Sequence, residues 1–372
     1  MRGHAVRGRS GGRLAIGAAL AALLGCTAGN PSVQTTAAAP PPEPAASAGS
    51  AAAQPVPGGP GMRISGPYRH ANLSLYLIHG AQTLGGERWL TLEEALAQGV
   101  LVVHETGEVN RLAVENRSAD AQVFIQAGEI VRGGKQDRVL AVDMVVGPSS
   151  GKLPIEAFCV ESGRWRQRGG ESAAYFGTAK NQIAGNALKK AMLLRREQEQ
   201  VWQQVAAVQE ALARSLGREV RSAASATSLD LTLDNEAVAA AVQAYTDALG
   251  ELVGSSEDAI GYAYAVNGRI AGADVYGSRV LLHKLWPKLL RACAVEAVAE
   301  RAGAAEGVSA PSAAAVADWL AAAQTGQLAA ERELPGGVRV RTREADANLQ
   351  IETRLADGAE REAWLRRCYL PK

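Results

Sequence analysis

The chain has 372 residues, and its 39 Lys and Arg residues nearly balance its 38 Asp and Glu residues, giving a net charge of +1. The basic residues are scattered among the acidic ones without forming a basic face, so nucleic acid is not expected as a partner. Hydrophobic residues make up 47% of the chain, and the length beyond residue 61 suits one large or two smaller folded domains.

Residues 1–26 have the organisation of a lipoprotein signal peptide. Arginines precede an uninterrupted run of Ala, Leu, Ile and Gly at residues 14–24. This run is shorter than the roughly 20 apolar residues that span a bilayer, and it has the length of a signal-peptide core. It ends in Leu23-Leu24-Gly25-Cys26, which resembles the lipobox of bacterial lipoproteins. The alternative is an ordinary secretory signal with a chance cysteine.

Lipidation of Cys26 predicts where the protein is held. Its thiol would carry a diacylglycerol and its freed amine a further acyl chain, and two or more chains anchor a protein stably. Thr27 follows, where an aspartate is associated with retention in the inner membrane of Gram-negative envelopes. We therefore expect a bacterial envelope protein with a lipid anchor in the outer membrane, facing the periplasm. Any protein partner is left open.

Residues 27–61 consist mainly of Ala, Pro, Gly, Ser, Gln and Thr and carry one charge, Glu43. Such a segment has almost nothing to bury and is expected to be a disordered tether. The folded body should therefore begin near residue 62, held away from the membrane by the tether.

Residues 62–170 predict a mainly β subdomain. Thr91-Leu92-Glu93-Glu94 is typical of a capping box that begins a helix, which Gly99 would end. Five short runs of branched or aromatic residues follow, separated by Gly, Asn, Ser and Pro. Their close spacing without intervening helices favours an antiparallel β-sandwich or partly open barrel. The five runs are residues 100–104, 111–115, 123–130, 139–146 and 155–160.

Residues 171–372 predict an α+β subdomain in which a helical layer packs on an antiparallel sheet. One apolar stripe from Ile183 to Leu212 predicts a helix of about 35 residues. Asp234 is a candidate N-cap for the next helix. Asn267-Gly268 supplies the positive φ angles of a hairpin turn. The overall prediction is an α+β fold.

The end of the chain predicts two more helices and three strands. Ser278 would cap a helix in which Pro287 either causes a kink or marks the true start. A short helix is expected at residues 316–322. The strand candidates are residues 338–342, 349–354 and 362–369.

The segment Gly133-Gly134-Lys135-Gln136-Asp137-Arg138 predicts a site, because four polar side chains follow a glycine pair where a strand should bury something. Gly133 and Gly134 suit a hairpin turn, and glycines also let a ligand approach the backbone closely. Lys135 and Arg138 are candidates to hold an anion, for which arginine is the better bidentate partner. Gln136 is a candidate contact for an amide or hydroxyl group.

Neighbouring strand residues point to opposite faces. We therefore expect Gln136 and Arg138 to face the pocket together, with Arg164 joining them from the next turn. Lys135 and Asp137 would then form ion pairs with Glu129 and Arg132. The alternative is that Lys135 and Arg138 pair with Asp137 and Glu129 in a structural ion network.

Five further residues each have both a functional and a purely structural interpretation. Glu161 and Arg164 either form a salt bridge or reach the same pocket. Trp165 is expected in the core or at a rim rather than as a stacking platform. Cys159 lies between apolar residues with no histidine near in sequence, so a buried inert thiol is favoured over a nucleophile. Asp274 is either a functional carboxylate or a local pairing residue.

The segment from Gly128-Glu129 through Gly133-Gly134-Lys135-Gln136-Asp137-Arg138 resembles a bacterial domain family. The family is named for its association with ADP-ribosylglycohydrolases and rhodanese-phosphatase proteins. The resemblance covers most of residues 70–300 and includes Phe158-Cys159-Val160-Glu161 with Gly163-Arg164-Trp165, and the later segments 262–268 and 273–290. It implies a role near ADP-ribose or NAD-derived metabolites. No catalytic residues of the family are carried over.

Neither a metal nor a cofactor is expected. The chain has no Cys-x-x-Cys or His-x-x-x-His spacing, no P-loop, and no Gly-x-Gly-x-x-Gly or Gly-x-Ser-x-Gly motif. The favoured hypothesis is a binding module for a small anionic ligand. The alternative is a hydrolase for ADP-ribose-like or other phosphate esters, with Asp137 or Glu161 as general base and Arg138 or Arg164 as anion clamp. Whether the chain is an enzyme is left open.

Overall fold

The computed structural model describes residues 54–55, 62–85, 89–303, 308–356 and 364–372. Cys26 and most of the expected tether lie outside these residues. Within the described ranges, no helix is long and apolar enough to cross a membrane.

The described residues form eighteen strands and seven α-helices, which confirms the predicted α+β class. The strands are β1 Gln54–Pro55, β2 Arg63–His70, β3 Leu73–His79, β4 Trp89–Thr91, β5 Leu101–Glu105, β6 Arg111–Asn116, β7 Gln122–Ile125, β8 Glu129–Gly133, β9 Arg138–Leu140, β10 Met144–Val146, β11 Lys152–Cys159, β12 Tyr175–Ile183, β13 Ala259–Val266, β14 Arg269–Tyr276, β15 Gln327–Leu334, β16 Val338–Glu344, β17 Asn348–Leu355 and β18 Trp364–Pro371. The helices are α1 Leu92–Ala97, α2 Asn186–Lys190, α3 Gln198–Leu216, α4 Leu229–Leu233, α5 Glu236–Leu249, α6 Arg279–Glu300 and α7 Ala313–Gln324.

Six strands close into a barrel in the order β11-β6-β5-β12-β8-β9, and all neighbours are antiparallel. Buried and less buried residues alternate along β5 and β6, as expected when one face of a strand lines an apolar interior. Leu101, Val103, Leu112 and Val114 belong to this interior core. Of the two predicted architectures, the barrel is the correct one, and it is closed rather than partly open.

A nine-stranded antiparallel sheet has the order β1-β2-β3-β13-β14-β18-β17-β16-β15. Strand β3 is buried along its whole length because both faces of the sheet are covered. Leu75 and Leu77 belong to the core that contains α6, whereas Tyr76 and Ile78 belong to the core that contains α7. The predicted helical layer on an antiparallel sheet is therefore present, with a further helix on the opposite face.

The sheets draw strands from both of the sequence segments that we expected to form subdomains. The nine-stranded sheet takes β2 and β3 from residues 62–170, and the barrel takes β12 from residues 171–372. A small third sheet has the order β10-β7-β4, with β4 parallel to β7. Residue 170 therefore does not separate one sheet from the other. Two residues of the expected tether, Gln54–Pro55, pair with the edge of β2.

The predicted helix of about 35 residues is wrong. Strand β12 extends to Ile183, and α2 is followed by a π-helical turn at Ala191–Arg195. Arg196 then takes a left-handed conformation with φ +59° before α3 begins. The apolar spacing continued through this break because Met192 and Val201, on either side of it, face the same core.

The capping signals in the second half were partly correct. Asn235, not Asp234, caps α5, its side chain accepting from the Ala237 amide at 3.0 Å. Ser278 caps α6 as predicted. Pro287 therefore lies inside α6 and does not mark its start.

Two other local predictions, a helix capping box and a hairpin turn, were confirmed. Thr91 and Glu94 form both bonds of the capping box at the start of α1. Asn267 and Gly268 have positive φ angles between β13 and β14, as a type I′ turn requires. Strands β1, β2, β3, β4, β12 and β15 had no counterpart in the sequence predictions.

Candidate functional site

The glycine pair lies at the end of strand β8, where a hairpin leads into β9. Ile130 pairs with Val139 and Val131 with Arg138, and the polar residues between Gly134 and Arg138 form the loop. Gly134 has φ +54°, and an added Cβ there would lie 2.3 Å from Phe176 Cζ and 2.7 Å from Glu105 Oε2. Glycine is required at this position because two barrel strands bring side chains against its backbone.

The expected alternation of side chains does not apply to residues 134–137, because they lie outside the strands. Glu129 is paired with Lys288 at 2.7 Å. Arg132 bonds to Asp230, and to Asp234 at 2.7 Å. The predicted ion pairs of Lys135 and Asp137 with Glu129 and Arg132 were therefore wrong.

Asp137 is buried and fully surrounded by donors. Its Oδ1 accepts from the Gly133 amide at 3.1 Å, from Arg164 at 3.3 Å and from Arg168 at 3.1 Å. Its Oδ2 accepts from Arg168 at 2.9 Å and from the Ser228 hydroxyl at 3.1 Å. This arrangement holds the carboxylate in place, and each of its oxygens already accepts from at least two donors.

Glu161 is the second buried carboxylate beside the loop. Its Oε2 lies 2.6 Å from Arg164 and accepts from the Asp137 amide at 3.3 Å, while its Oε1 lies 3.5 Å from Arg168. We call Asp137, Glu161, Arg164 and Arg168 the arginine–carboxylate cluster. Of the two predicted roles for Glu161 and Arg164, the salt bridge is present, and it forms next to the hairpin loop.

The pKa values of the two carboxyl groups are shifted in opposite directions. Burial raises the pKa of Asp137, and the nearby Glu161 charge adds to this rise, although Arg168 opposes it. Burial also favours a raised pKa for Glu161, but hydrogen bonds from Arg164, Ser225 and the Asp137 amide, with the charge of Arg164, together outweigh burial and lower the pKa. Such a separation is typical of acid–base pairs, but here each carboxylate is already bound by arginines.

Arg138 has a different environment although its side chain is fully buried. Its Nη1 donates to the Gln136 carbonyl at 3.1 Å. Its Nη2 lies 3.8 Å from Glu105 Oε2, too far for a hydrogen bond. Among the described residues, neither Nε nor Nη2 has a hydrogen-bond partner. We call these two donors the unpaired edge of Arg138.

Trp165 and Lys135 lie at the solvent side of Arg138. The Trp165 side chain is 46% exposed, so the rim position is the correct one of its two predicted places. Lys135 Nζ lies 5.1 Å and Arg138 Cζ 5.7 Å from the centre of its ring, within the range of cation–π attraction. A second positive charge and an exposed aromatic ring therefore adjoin the unpaired edge of Arg138.

Sequence reasoning missed three residues of this site. Arg168 and Ser228 bind Asp137, and Glu105 lies next to both Gly134 and Arg138. The run of arginines at 164, 166 and 168 was the available signal for Arg168. Ser228 caps α4, and the short helix gave no apolar periodicity that would have identified this role.

The remaining candidates have structural roles. Burial raises the pKa of the Cys159 thiol to about 11, as expected for an inert buried cysteine. Cys159, Cys293 and Cys368 are free and buried. Asp274 bonds to Arg366 at 2.7 Å inside the nine-stranded sheet. No group of three or more His, Cys, Asp or Glu side chains in the described part of the chain could hold a metal ion.

A family model for the ARG and Rhodanese-Phosphatase-superfamily-associated Protein (ARPP-1) domain matches residues 61–366. The chain belongs to this family. The match begins where the tether was expected to end, and it covers the barrel and most of the nine-stranded sheet. Comparisons with curated proteins and with solved structures found no match.

Proposed function

We propose that this ARPP-1 domain protein is a lipid-anchored envelope protein whose folded domain binds a small anionic ligand at the hairpin between β8 and β9. The unpaired edge of Arg138 carries this proposal. A buried guanidinium that lacks partners for two donors is costly. A bound anion would supply the missing acceptors.

The chemistry of the unpaired edge favours a carboxylate or phosphate. Adjacent guanidinium donors match two oxygens of such a group in a bidentate pair. Lys135 adds a second positive charge, and both it and Arg138 lie against the Trp165 ring. Glu105, at 3.8 Å from Nη2, offsets the charge of Arg138 when no ligand is bound and would compete with one.

Binding is favoured over hydrolysis because of the arginine–carboxylate cluster. A general base needs a free oxygen within hydrogen-bond distance of the proton that it removes. Both oxygens of Asp137 and both of Glu161 are already held by donors. The family name associates the domain with ADP-ribosylglycohydrolases, which makes ADP-ribose the first organic phosphate to test.

Calorimetric titration with inorganic phosphate and with ADP-ribose tests the ligand site. Arg138→Lys retains the charge but loses the bidentate edge, so we expect affinity to fall at least about tenfold, which corresponds to ~1.4 kcal/mol. Arg332→Lys, at an exposed residue paired with Glu156, is the matched control and should bind as the wild type does. Unchanged binding of both anions by Arg138→Lys would contradict the proposal.

Fractionation tests the lipid anchor separately. Cys26→Ser should move the protein from the membrane fraction to the soluble envelope or culture fraction, because no acyl chain can then be attached. Mass spectrometry of the wild-type N-terminus provides the control. Soluble wild-type protein that retains an unmodified Cys26 would exclude the anchor.

A further inference from the structure

A cavity of about 490 Å³ lies between α2, α3, α6 and the β13–β14 hairpin. It exists because small side chains line the helices that border it. Ala207 and Ala211 of α3, and Ala292 and Val295 of α6, line the cavity at spacings that place each pair on one face of its helix. The volume and the mainly apolar wall suit a small organic molecule. None of the residues 133–138 lines it, so it is separate from the hairpin site.

The charged side chains that line the cavity are only partly balanced by one another. There are six of them: Lys190, Arg269, Arg291, Glu296, Glu300 and Lys372. Arg269 is paired with Glu300 at 2.7 Å. Lys372 is paired at 2.9 Å with Glu344, which does not line the cavity. These two pairs leave Glu296 as the one acidic group of the six that could balance Lys190 and Arg291.

Glu296 is held by the protein instead. One carboxylate oxygen accepts from the Tyr264 hydroxyl at 2.6 Å, and the other accepts from the Asn186 backbone amide. Burial raises the pKa of Glu296, although these two bonds and the charge of Lys189 oppose the rise. Each oxygen of Glu296 therefore already has a donor from the sheet or from the start of α2.

Lys190 and Arg291 are left without a counter-charge. Both residues are partly exposed and line the cavity, and neither has a salt-bridge partner among the described residues. Arg291 Nη2 donates at 2.8 Å to the Leu233 carbonyl, which is neutral. Burial lowers the pKa of Arg291, although the charge of Asp234 opposes this. The charge of Arg291 is therefore incompletely compensated, and an anion in the cavity would compensate it.

We propose that this cavity binds a carboxylate with a single apolar chain, such as a free fatty acid. The carboxylate lies against the guanidinium of Arg291, the first residue of α6 that lines the cavity. The chain follows the face of α6 that carries Ala292, Val295 and Ala299, which extends about 12 Å beyond Arg291 at the rise of an α-helix. Lys190 adds a second positive charge at the wall. A neutral head group would leave both charges uncompensated, and an ammonium group would be repelled by them.

Three probes with the same chain test the charge preference: decanoate, 1-decanol and decylamine. Calorimetry with the full chain at neutral pH should show decanoate binding at least about tenfold more tightly than the other two, because only the carboxylate forms charge-assisted hydrogen bonds with a guanidinium. Absence of decanoate binding, or equally tight binding of either other probe, would overturn the proposal.

Variants show which arginine binds the carboxylate. Arg291→Met keeps an apolar side chain but removes the charge, so decanoate affinity should fall at least about tenfold while decanol affinity stays the same. Arg218→Met is the control, because Arg218 is exposed and does not line the cavity. Arg138→Lys should bind decanoate as the wild type does. Unchanged decanoate affinity in Arg291→Met would overturn the proposal, and so would its loss in Arg138→Lys, which would place the probe at the hairpin.

Filling the cavity provides a second test that remains decisive if Arg291→Met does not fold. Ala292 is partly exposed and lines the cavity, so Ala292→Phe should occupy the space of the chain and abolish decanoate binding. Ala240→Phe, at an exposed position of α5, is the control and should bind decanoate normally. Decanoate binding that persists in Ala292→Phe would also overturn the proposal.

Discussion

Arg138 and Arg366 are the two bulkiest side chains that are fully buried, yet their surroundings differ. Arg366 lies in the nine-stranded sheet and uses all three nitrogens, two on Asp274 and one on Asp143. Arg138 lies in the barrel and has one hydrogen bond, to a neutral carbonyl. Burial of a charge does not itself indicate a binding site. The pairing of its donors separates a structural arginine from a candidate ligand contact.

The pKa shifts of buried carboxyl groups also differ between the nine-stranded sheet and the region of the hairpin. Burial acts on Asp274, but the charges of Arg366 and Lys189 outweigh it, so the pKa of Asp274 is lowered. Burial raises the pKa of Asp230, beside the hairpin, to about 6 despite Arg132. The sheet therefore compensates its buried charges more completely than the region around the hairpin does.

Replacing each buried arginine should give the largest difference in the free energy of unfolding. Arg366→Met leaves Asp143 and Asp274 buried without a counter-charge and should cost about 3–5 kcal/mol of unfolding free energy. Arg138→Met removes one hydrogen bond and should cost roughly 1 kcal/mol. Urea denaturation of both variants measures the difference. Equal losses would show that Arg138 is as structural as Arg366.

The pH dependence of stability tests the incomplete compensation near the hairpin. The folded state raises the pKa of Asp230 from 3.8 to about 6, so it binds a proton more tightly than the unfolded chain does. Its effect therefore lowers stability as pH rises from about 4 to 6. The stability of wild type relative to Asp230→Asn should be about 2 kcal/mol greater at pH 4 than at pH 7.

Denaturation at several pH values measures this difference. Asp234→Asn removes the other, half-exposed partner of Arg132 and is the matched control. It should not show the same change with pH. A difference between wild type and Asp230→Asn that does not vary between pH 4 and pH 7 would contradict the assignment.

Gly134→Ala tests the packing that holds Glu105 beside Arg138. The new Cβ would contact Phe176 and Glu105 at a backbone φ of +54°, so the loss of stability should be about 1–3 kcal/mol. Gly151→Ala is the control, because Gly151 has φ +66° but no atom within 4 Å of an added Cβ. It should cost about 1 kcal/mol or less. Equal losses in thermal unfolding would mean that the close contacts are relieved easily.

Glu105→Gln should produce the smallest effect and the only gain. It removes the negative charge nearest to the unpaired edge of Arg138 while keeping one side-chain oxygen as an acceptor. Phosphate affinity should increase by up to about tenfold, or ~1.4 kcal/mol. Calorimetry with Arg138→Lys in the same background serves as control and should show no gain. Weaker binding by Glu105→Gln would mean that Glu105 positions Arg138 instead of competing with the ligand.

Local signals in the sequence were sufficient for the α+β class, the capping box at Thr91 and the hairpin at Asn267. Each depends on residues that are at most a few positions apart. The sequence offered a pocket shared by the Gly133-Gly134 turn, Glu161 and Arg164 only as an alternative to a salt bridge, because Arg164 lies 30 positions from Gly134. Apolar spacing was misleading at Arg196. The spacing is continuous there, although the helix is interrupted.

Ser228, a partner of Asp137, and Glu105, the carboxylate beside Arg138, could not be predicted, because they come from distant parts of the chain. Ser228 reaches Asp137 across 91 positions, and Glu105 reaches Arg138 from another barrel strand. The unsatisfied donors of Arg138 depend on the absence of an acceptor in three dimensions. No spacing of residues in the sequence encodes that absence.

Helix α4 contributes to the hairpin site and to the separate cavity although it has five residues. Ser228, its cap, binds Asp137. Leu233, its last residue, accepts from Arg291 and lines the cavity of about 490 Å³ beside α3, α6 and the β13–β14 hairpin. A shift of this helix would change the hairpin site and the cavity together. If occupation of the cavity alters anion affinity at the hairpin, thermodynamic reciprocity requires the anion to alter the affinity of the cavity for its occupant by the same factor.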